Sequence, residues 1–368
     1  MVFLSTKFTI LEYGSSPDDT CNAMRYTHVR LDSLGYELAP NVVTSAALEE
    51  RLAPIYDALR LPSGQIAALT GVRERRFWDT GQRMSDAAAK AGRKALTAAK
   101  VSADEIGMLV YGGVCRDNFE PATACATADA LGIRGSALVH DTCNACLGVM
   151  NAVFQVANAI ELGQIQAGLI VSSESARQIV DLTIARMLAT PNMDMFKKSM
   201  ATMTGGSGAI GIVLTHASRS VDGHRLVGGV VRAAPEHHAL SHWGHDPAIP
   251  GGGSMVMETD AVGTLHHGIN LGAAAFREFV DELDWPGGPD RVICHQVGAP
   301  HRTAILDAIG IPVERDFSTF EYLGNIGTVS VPITAAIADE RGELQRGQRV
   351  GFFGIGSGLN CLLLGLEW

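Results

Sequence analysis

An α/β fold with buried sheets is what the 368-residue sequence predicts. Three observations carry this reading. Helical periodicity alternates with short β-branched runs along the chain, the order of these elements occurs twice, and 46% of residues are apolar against 18% charged. Strands that read as near-continuous apolar runs, with no polar alternation, are strands whose two faces are both covered.

In chain order, Ser85 is placed to cap a helix running through Lys100, and Ser102 with Glu105 has the spacing of a capping box for the next turn. The run GMLVYGG then reads as a buried strand. A helix is expected near Ala122–Leu131, followed by the strand SALVH, a long helix from about Cys146 to Leu162, and AGLIVSSES as another central strand.

The second half repeats this order. RVICHQVG is the counterpart of GMLVYGG, QRVGFFGIGSG of AGLIVSSES, and LNCLLLGLEW of GAIGIVLTHA. No Pro-rich or Ser-rich linker intervenes, so the chain divides into similar halves, 24–220 and 221–368, joined near residue 220. Residues 1–23 lack the cationic start and sustained apolar stretch of a secretory leader, and read as a disordered N-terminal extension. Two stretches fit the pattern poorly and are expected to project as insertions: 176–206, with five of the twelve methionines, and 236–268, with half of the histidines.

The formal charge of -10 argues against a nucleic-acid partner, which would require a basic surface. Apolar runs such as Gly107–Val114 fall far short of the roughly 20 residues of a membrane span. Seven dispersed cysteines do not make the dense framework of a small secreted domain, and a reducing cytoplasm is the simpler setting. Residues 206–211, GSGAIG, have the letters of a dinucleotide fingerprint, but a strand-like IGIVLTH follows where a helix should begin. They read as a tight turn before a core strand. His237, His238, His242, His245, His266 and His267 have no compact ligand spacing, and no metal is expected.

The chemistry centres on DTCNACLGVMNAVFQVANAIELG, where a strand runs into a helix and Cys146 stands at the helix start. Unpaired N–H groups and the helix dipole favour a thiolate there. Taken alone, Cys146 is as readily a small buried apolar residue, and CNAC as a C-x-x-C also admits a redox dithiol or half a zinc site, although nothing completes the latter. His295, at the end of the strand RVICHQ, and Asn325, in the Gly-rich loop YLGNIGTVSVP, supply further polar groups. GIGSG adds a strand-to-turn backbone able to cradle an oxyanion.

HDTCNACLGV, CHQVGAPH, LGNIGTVSVP and GIGSGLNC, in that order, resemble the nucleophile, His, Asn and Gly-rich signatures of the thiolase superfamily, specifically its ketoacyl-ACP synthase III branch. Within that branch CRDNFEPATAC, GNIG and the ending through Glu367-Trp368 are most similar to the OleA family of head-to-head acyl-CoA condensing enzymes. The resemblance covers about residues 26–368. It implies a thiolase fold of duplicated βαβαβαββ halves in five αβαβα layers.

It also implies an acyltransferase that needs no cofactor or metal and joins two acyl thioesters into a 3-ketoacyl product by Claisen condensation. Cys146 would carry the acyl group, with Cys143 as a packing residue. His295 and Asn325 would hold the second thioester's carbonyl, and the Cys146 and Ser357 N–H groups the tetrahedral oxyanion. His295 must be neutral, or donate from the appropriate nitrogen. Glu120 in RDNFEP matches the OleA base, received across a homodimer interface, which makes the reaction non-decarboxylative. The rivals are a decarboxylative 3-oxoacyl-ACP synthase III using malonyl-ACP, in which Glu120 is simply a solvated residue, and a non-catalytic acyl-binding subunit. Arg73, Arg75 and Arg76 are candidates for contact with CoA phosphates or an acidic carrier protein, although Leu69 stands where the family pattern often has an Arg. The methionine-rich stretch suits either an acyl channel or ordinary packing.

Overall fold

The computed structural model describes residues 23–246 and 255–368. The first set of repeated elements is β1 (Val29–Leu38), α1 (Met84–Ala99), β2 (Met108–Gly112), α2 (Thr123–Leu131), β3 (Leu138–Thr142), α3 (Gly148–Glu161), β4 (Ala167–Glu174) and β5 (Gly208–His216). The second set is β6 (His224–Ala233), α4 (Ala261–Leu283), β7 (Arg291–Cys294), α5 (Ala299–Ile309), α6 (Ser330–Glu340), β8 (Arg349–Gly356) and β9 (Asn360–Glu367).

Strand order runs β3-β2-β4-β5-β1 in one half and β7-β8-β9-β6 in the other. The halves meet edge to edge through Arg30 opposite Arg225 and Leu31 opposite His224. The place corresponding to β3 is taken by an isolated parallel bridge between Val292 and Asp316. Within each strand, successive side chains point to opposite faces and enter different cores. Ile170 of β4 packs inward around α3, whereas Leu169 and Val171 pack outward with α1 and α2. Leu362, Leu364 and Leu366 of β9 likewise point inward, while Cys361 and Leu363 join the outer core of α4. Five layers result, with α3 and α6 in the middle. Full burial stabilises by about 1.5–3 kcal/mol per large apolar side chain, which is why both faces of these strands read as apolar.

Several local expectations need correction. Ser85 does not cap α1; it is buried inside the first turn, and Asp117 accepts from the Met84 and Ser85 N–H groups at 2.7 and 3.3 Å. The Ser102–Glu105 capping box is formed. Of the expected extension 1–23, residues 1–22 lie outside the described residues, whereas Ala23 pairs with Val230. The methionine-rich insertion forms helices Arg177–Ala189 and Met193–Met203, and Met187 and Met203 pack with Leu48, Ile55, Ile66 and Phe196 in a satellite core. The histidine-rich stretch contains a hairpin, Ser241–His245 with Met255–Thr259, tied to that insertion by Arg186 and Glu258 at 2.8 Å. Among the described residues no helix is long and apolar enough to cross a membrane.

Candidate active site

The turn carrying Cys146 is set before the helix begins. Leu147 N–H donates to Asn144 O at 2.8 Å, and Ala145 takes a left-handed φ of 46°. For a residue with a Cβ that conformation costs about 1 kcal/mol or more, and it presents Cys146 two residues ahead of α3 instead of inside its first turn. A Cβ on Gly112 would lie 2.7 Å from Gly148 O, so only glycine lets the start of α3 sit on the end of β2.

The thiol itself departs from expectation. Desolvation first, and the charge of Glu174 second, push its pKa up to about 12, against the backbone N–H groups of Ser357 and Cys146, which favour a thiolate. Cys146 therefore rests protonated. A thiol in this state must give up its proton before or as it acts as a nucleophile. Cys143 is exposed.

Asn325 follows the short helix Phe320–Leu323, in a loop held by Asn325 N–H to Thr204 O and Gly206 N–H to Asn325 O, both 2.9 Å. A side chain on Gly206 would collide with Leu323 O, so the approach of this loop requires glycine. Thr328 accepts from Val149 N–H at 2.7 Å, docking the loop on the first turn of α3. Asn325 Oδ1 accepts from Gly327 N–H at 3.1 Å, which leaves the side-chain NH2 as the group able to donate to a ligand.

His295 follows β7, and its N–H donates to Phe353 O of β8 at 2.8 Å. Three residues on, the same strand delivers Gly356 beside Cys146, where a Cβ would lie 3.4 Å from Cys146 N. Desolvation, helped by His301, lowers the His295 pKa to about 4, and desolvation lowers that of His301 to about 4 as well. Both imidazoles are neutral at pH 7. His295 Nδ1 is buried without a partner among the described residues.

These shifts have a stability consequence. Below pH 6.5 the unfolded chain protonates both histidines while the folded chain, with values near 4, does not. The contribution is fully present above pH 6.5 and is lost as pH falls towards 4, by on the order of 3 kcal/mol per histidine. Urea midpoints should therefore drop between pH 7 and 4.5, and His301→Asn should flatten that drop. An identical pH slope in the variant would contradict the assignment.

With this geometry in hand, the chain can be set beside known proteins. Residues 286–368 match the family model described as 3-oxoacyl-(acyl-carrier-protein) synthase III, C-terminal. An acyl-CoA:acyl-CoA alkyltransferase of Shewanella oneidensis is 49% identical over 349 residues, covering 94% of this chain and 100% of that protein. The chain belongs to the OleA family. The Xanthomonas campestris acyl-CoA:acyl-CoA alkyltransferase is 34% identical, again over 94% of this chain and all of the relative. A crystal structure of Xanthomonas campestris OleA with bound lauric acid and lauroyl-CoA superposes with a TM-score of 0.87 at 33% identity, covering 93% of this chain and 100% of that one. This is the thiolase-type α/β fold that the sequence predicts.

The other expected site residues of this OleA-family chain fall on the loop after β2 and on residues 73–76. Glu120 is exposed on the loop after β2, next to Phe119, which is 92% exposed. Arg73 is exposed and lies 3.9 Å from Glu321, a pair too open to hold it firmly. Arg76 is half-buried and donates to Ala39 O at 3.3 Å. Arg75 departs from the expected phosphate-binding role: it is fully buried, and its guanidinium donates to Val43 O, Ser45 Oγ and Met203 O. It holds the helices of 45–70 to the methionine-rich insertion. Sequence reasoning missed Glu174, whose signal was a charged residue closing the otherwise uncharged run AGLIVSSE, and Thr328, which had none.

Proposed function

We propose that the protein joins two acyl-CoA molecules by non-decarboxylative Claisen condensation, with Cys146, His295, Asn325 and Glu120 dividing the work. The observation that carries this reading is the placement of Cys146 just ahead of α3, with β8, which accepts the His295 N–H, bringing Gly356 beside it and the loop that bears Asn325 docked on the first turn of α3. Cys146 attacks the first thioester carbonyl, the Ser357 and Cys146 N–H groups hold the oxyanion, and the carbon–sulfur bond to CoA breaks as the thiol's proton passes to the departing CoA. Glu120 then removes an α-proton from the second acyl-CoA. Neutral His295 and the Asn325 NH2 donate to the enolate oxygen. The enolate carbon attacks the acyl-Cys carbonyl, the bond to Cys146 breaks, the proton taken up by Glu120 returns to the Cys146 sulfur, and a 3-ketoacyl-CoA leaves.

The exposure of Glu120 in a single chain supports a homodimer in which it serves the site of the second copy. The lauroyl-CoA held by the Xanthomonas campestris relative supports CoA as the carrier. Co-expression of Cys146→Ala and Glu120→Gln chains tests the arrangement. Each homodimer should be inactive, whereas mixed dimers contain one complete site and should restore about a quarter of wild-type condensation in a statistical mixture. No recovery in a verified mixed dimer would place Glu120 in its own chain's site or outside catalysis.

A further inference from the structure

Glu174 closes β4 and is only 4% exposed. Its carboxylate oxygens accept from Val114 N–H at 2.8 Å and Cys115 N–H at 3.2 Å, at the root of the loop that carries Glu120. On its other side a Cβ at Gly327 would lie 3.4 Å from Glu174 Cγ, so the side chain lies against the turn that orients Asn325. The end of β4 is itself fixed, since Trp78 Nε1 donates to Glu174 O at 3.0 Å and Glu174 pairs with Gly208 in β5.

An enclosed carboxylate is unfavourable unless hydrogen-bonded. The two N–H groups supply such bonds and the charge of Arg116 helps, although desolvation still raises the pKa of Glu174. The structure fixes this carboxyl group between the root of the Glu120 loop and the turn that bears Asn325.

We propose that Glu174 is a positioning residue for condensation, anchoring the root of the loop from which Glu120 reaches the second copy's site, bracing the Asn325 turn of its own chain, and setting its carboxylate near the Cys146 thiol. The effect on condensation rests on the assignment of Glu120 as base; the effect on the thiol does not. The groups that act on the Cys146 thiol are Glu174 and Cys143, which disfavour the thiolate, and the Ser357 and Cys146 backbone N–H groups, which favour it. Those facing Glu174 are Cys115, Arg116, Tyr111 and the Val114 N–H.

Glu174→Gln preserves volume, removes the charge and turns one acceptor into an NH2 that faces an N–H. Two rates separate its roles: iodoacetamide alkylation read at the Cys146 peptide by mass spectrometry between pH 7 and 9, and condensation of acyl-CoA. Alkylation should become roughly threefold or more faster at each pH, because a neighbouring anion no longer opposes the thiolate. Acylation of Cys146 should persist while condensation falls about tenfold to a hundredfold, as expected for a misplaced base loop. Glu174→Asp keeps the charge but withdraws the oxygens, so alkylation should stay near wild type while condensation falls.

Unchanged alkylation in Glu174→Gln would overturn the proposal. So would acylation and condensation falling together in proportion, the mark of a merely structural residue. Glu120→Gln assayed in parallel keeps the two ideas apart. A wild-type condensation rate there removes the base assignment, and the alkylation rate of Glu174→Gln still reports on Glu174.

Discussion

Cys146→Ala is expected to abolish acyl-enzyme formation, whereas Cys143→Ala should retain most of it. The two thiols are three residues apart in one turn, but only Cys146 has the Ser357 N–H and its own N–H directed at its sulfur. An acyl group arriving at Cys143 would find no such pair for its oxyanion, and loss of one donor alone typically lowers the rate about 10²–10³-fold. Intact-protein mass spectrometry after exposure to an acyl-CoA reads the result directly. An acyl adduct persisting on Cys146→Ala would move the nucleophile elsewhere.

Glu120→Gln should leave acylation of Cys146 intact and slow carbon–carbon bond formation by on the order of 10²–10⁴-fold. The α-proton of an ordinary thioester is removed only by a base within reach. His295, with a pKa lowered to about 4, is too weak a base, and Glu174 is already occupied by Val114 and Cys115. Glutamine keeps the shape of the side chain and loses the proton acceptor. Single-turnover assays that separate acylation from condensation check this, and equal slowing of both steps would point to damage of the fold instead.

Much of this was legible in the sequence because it is written in local pattern. The buried strands announced themselves as apolar runs, and Cys146, His295 and Asn325 each lie at a strand end or in a Gly-rich loop. What escaped depends on groups distant in the chain. The thiol's pKa is decided by desolvation and by Glu174, neither visible from the helix start alone. Asp117 takes the capping role that Ser85 had by spacing, reaching over from 33 residues away. Arg75 and Arg76 are neighbours on the strand Glu74–Phe77 and Arg73 stands just before it, yet only the Arg75 side chain turns inward to Met203 of the insertion. No rule of adjacency could separate the three.

The reaction type is the central claim, and one incubation tests it most directly. The purified protein is given a single acyl-CoA with no malonyl thioester, and the products are identified by mass. Condensation of two acyl-CoA molecules predicts a 3-ketoacyl product, one free CoA per condensation and no CO2. Acylated Cys146 that accumulates without a carbon–carbon bond, and extends only when malonyl-ACP is added, would contradict it.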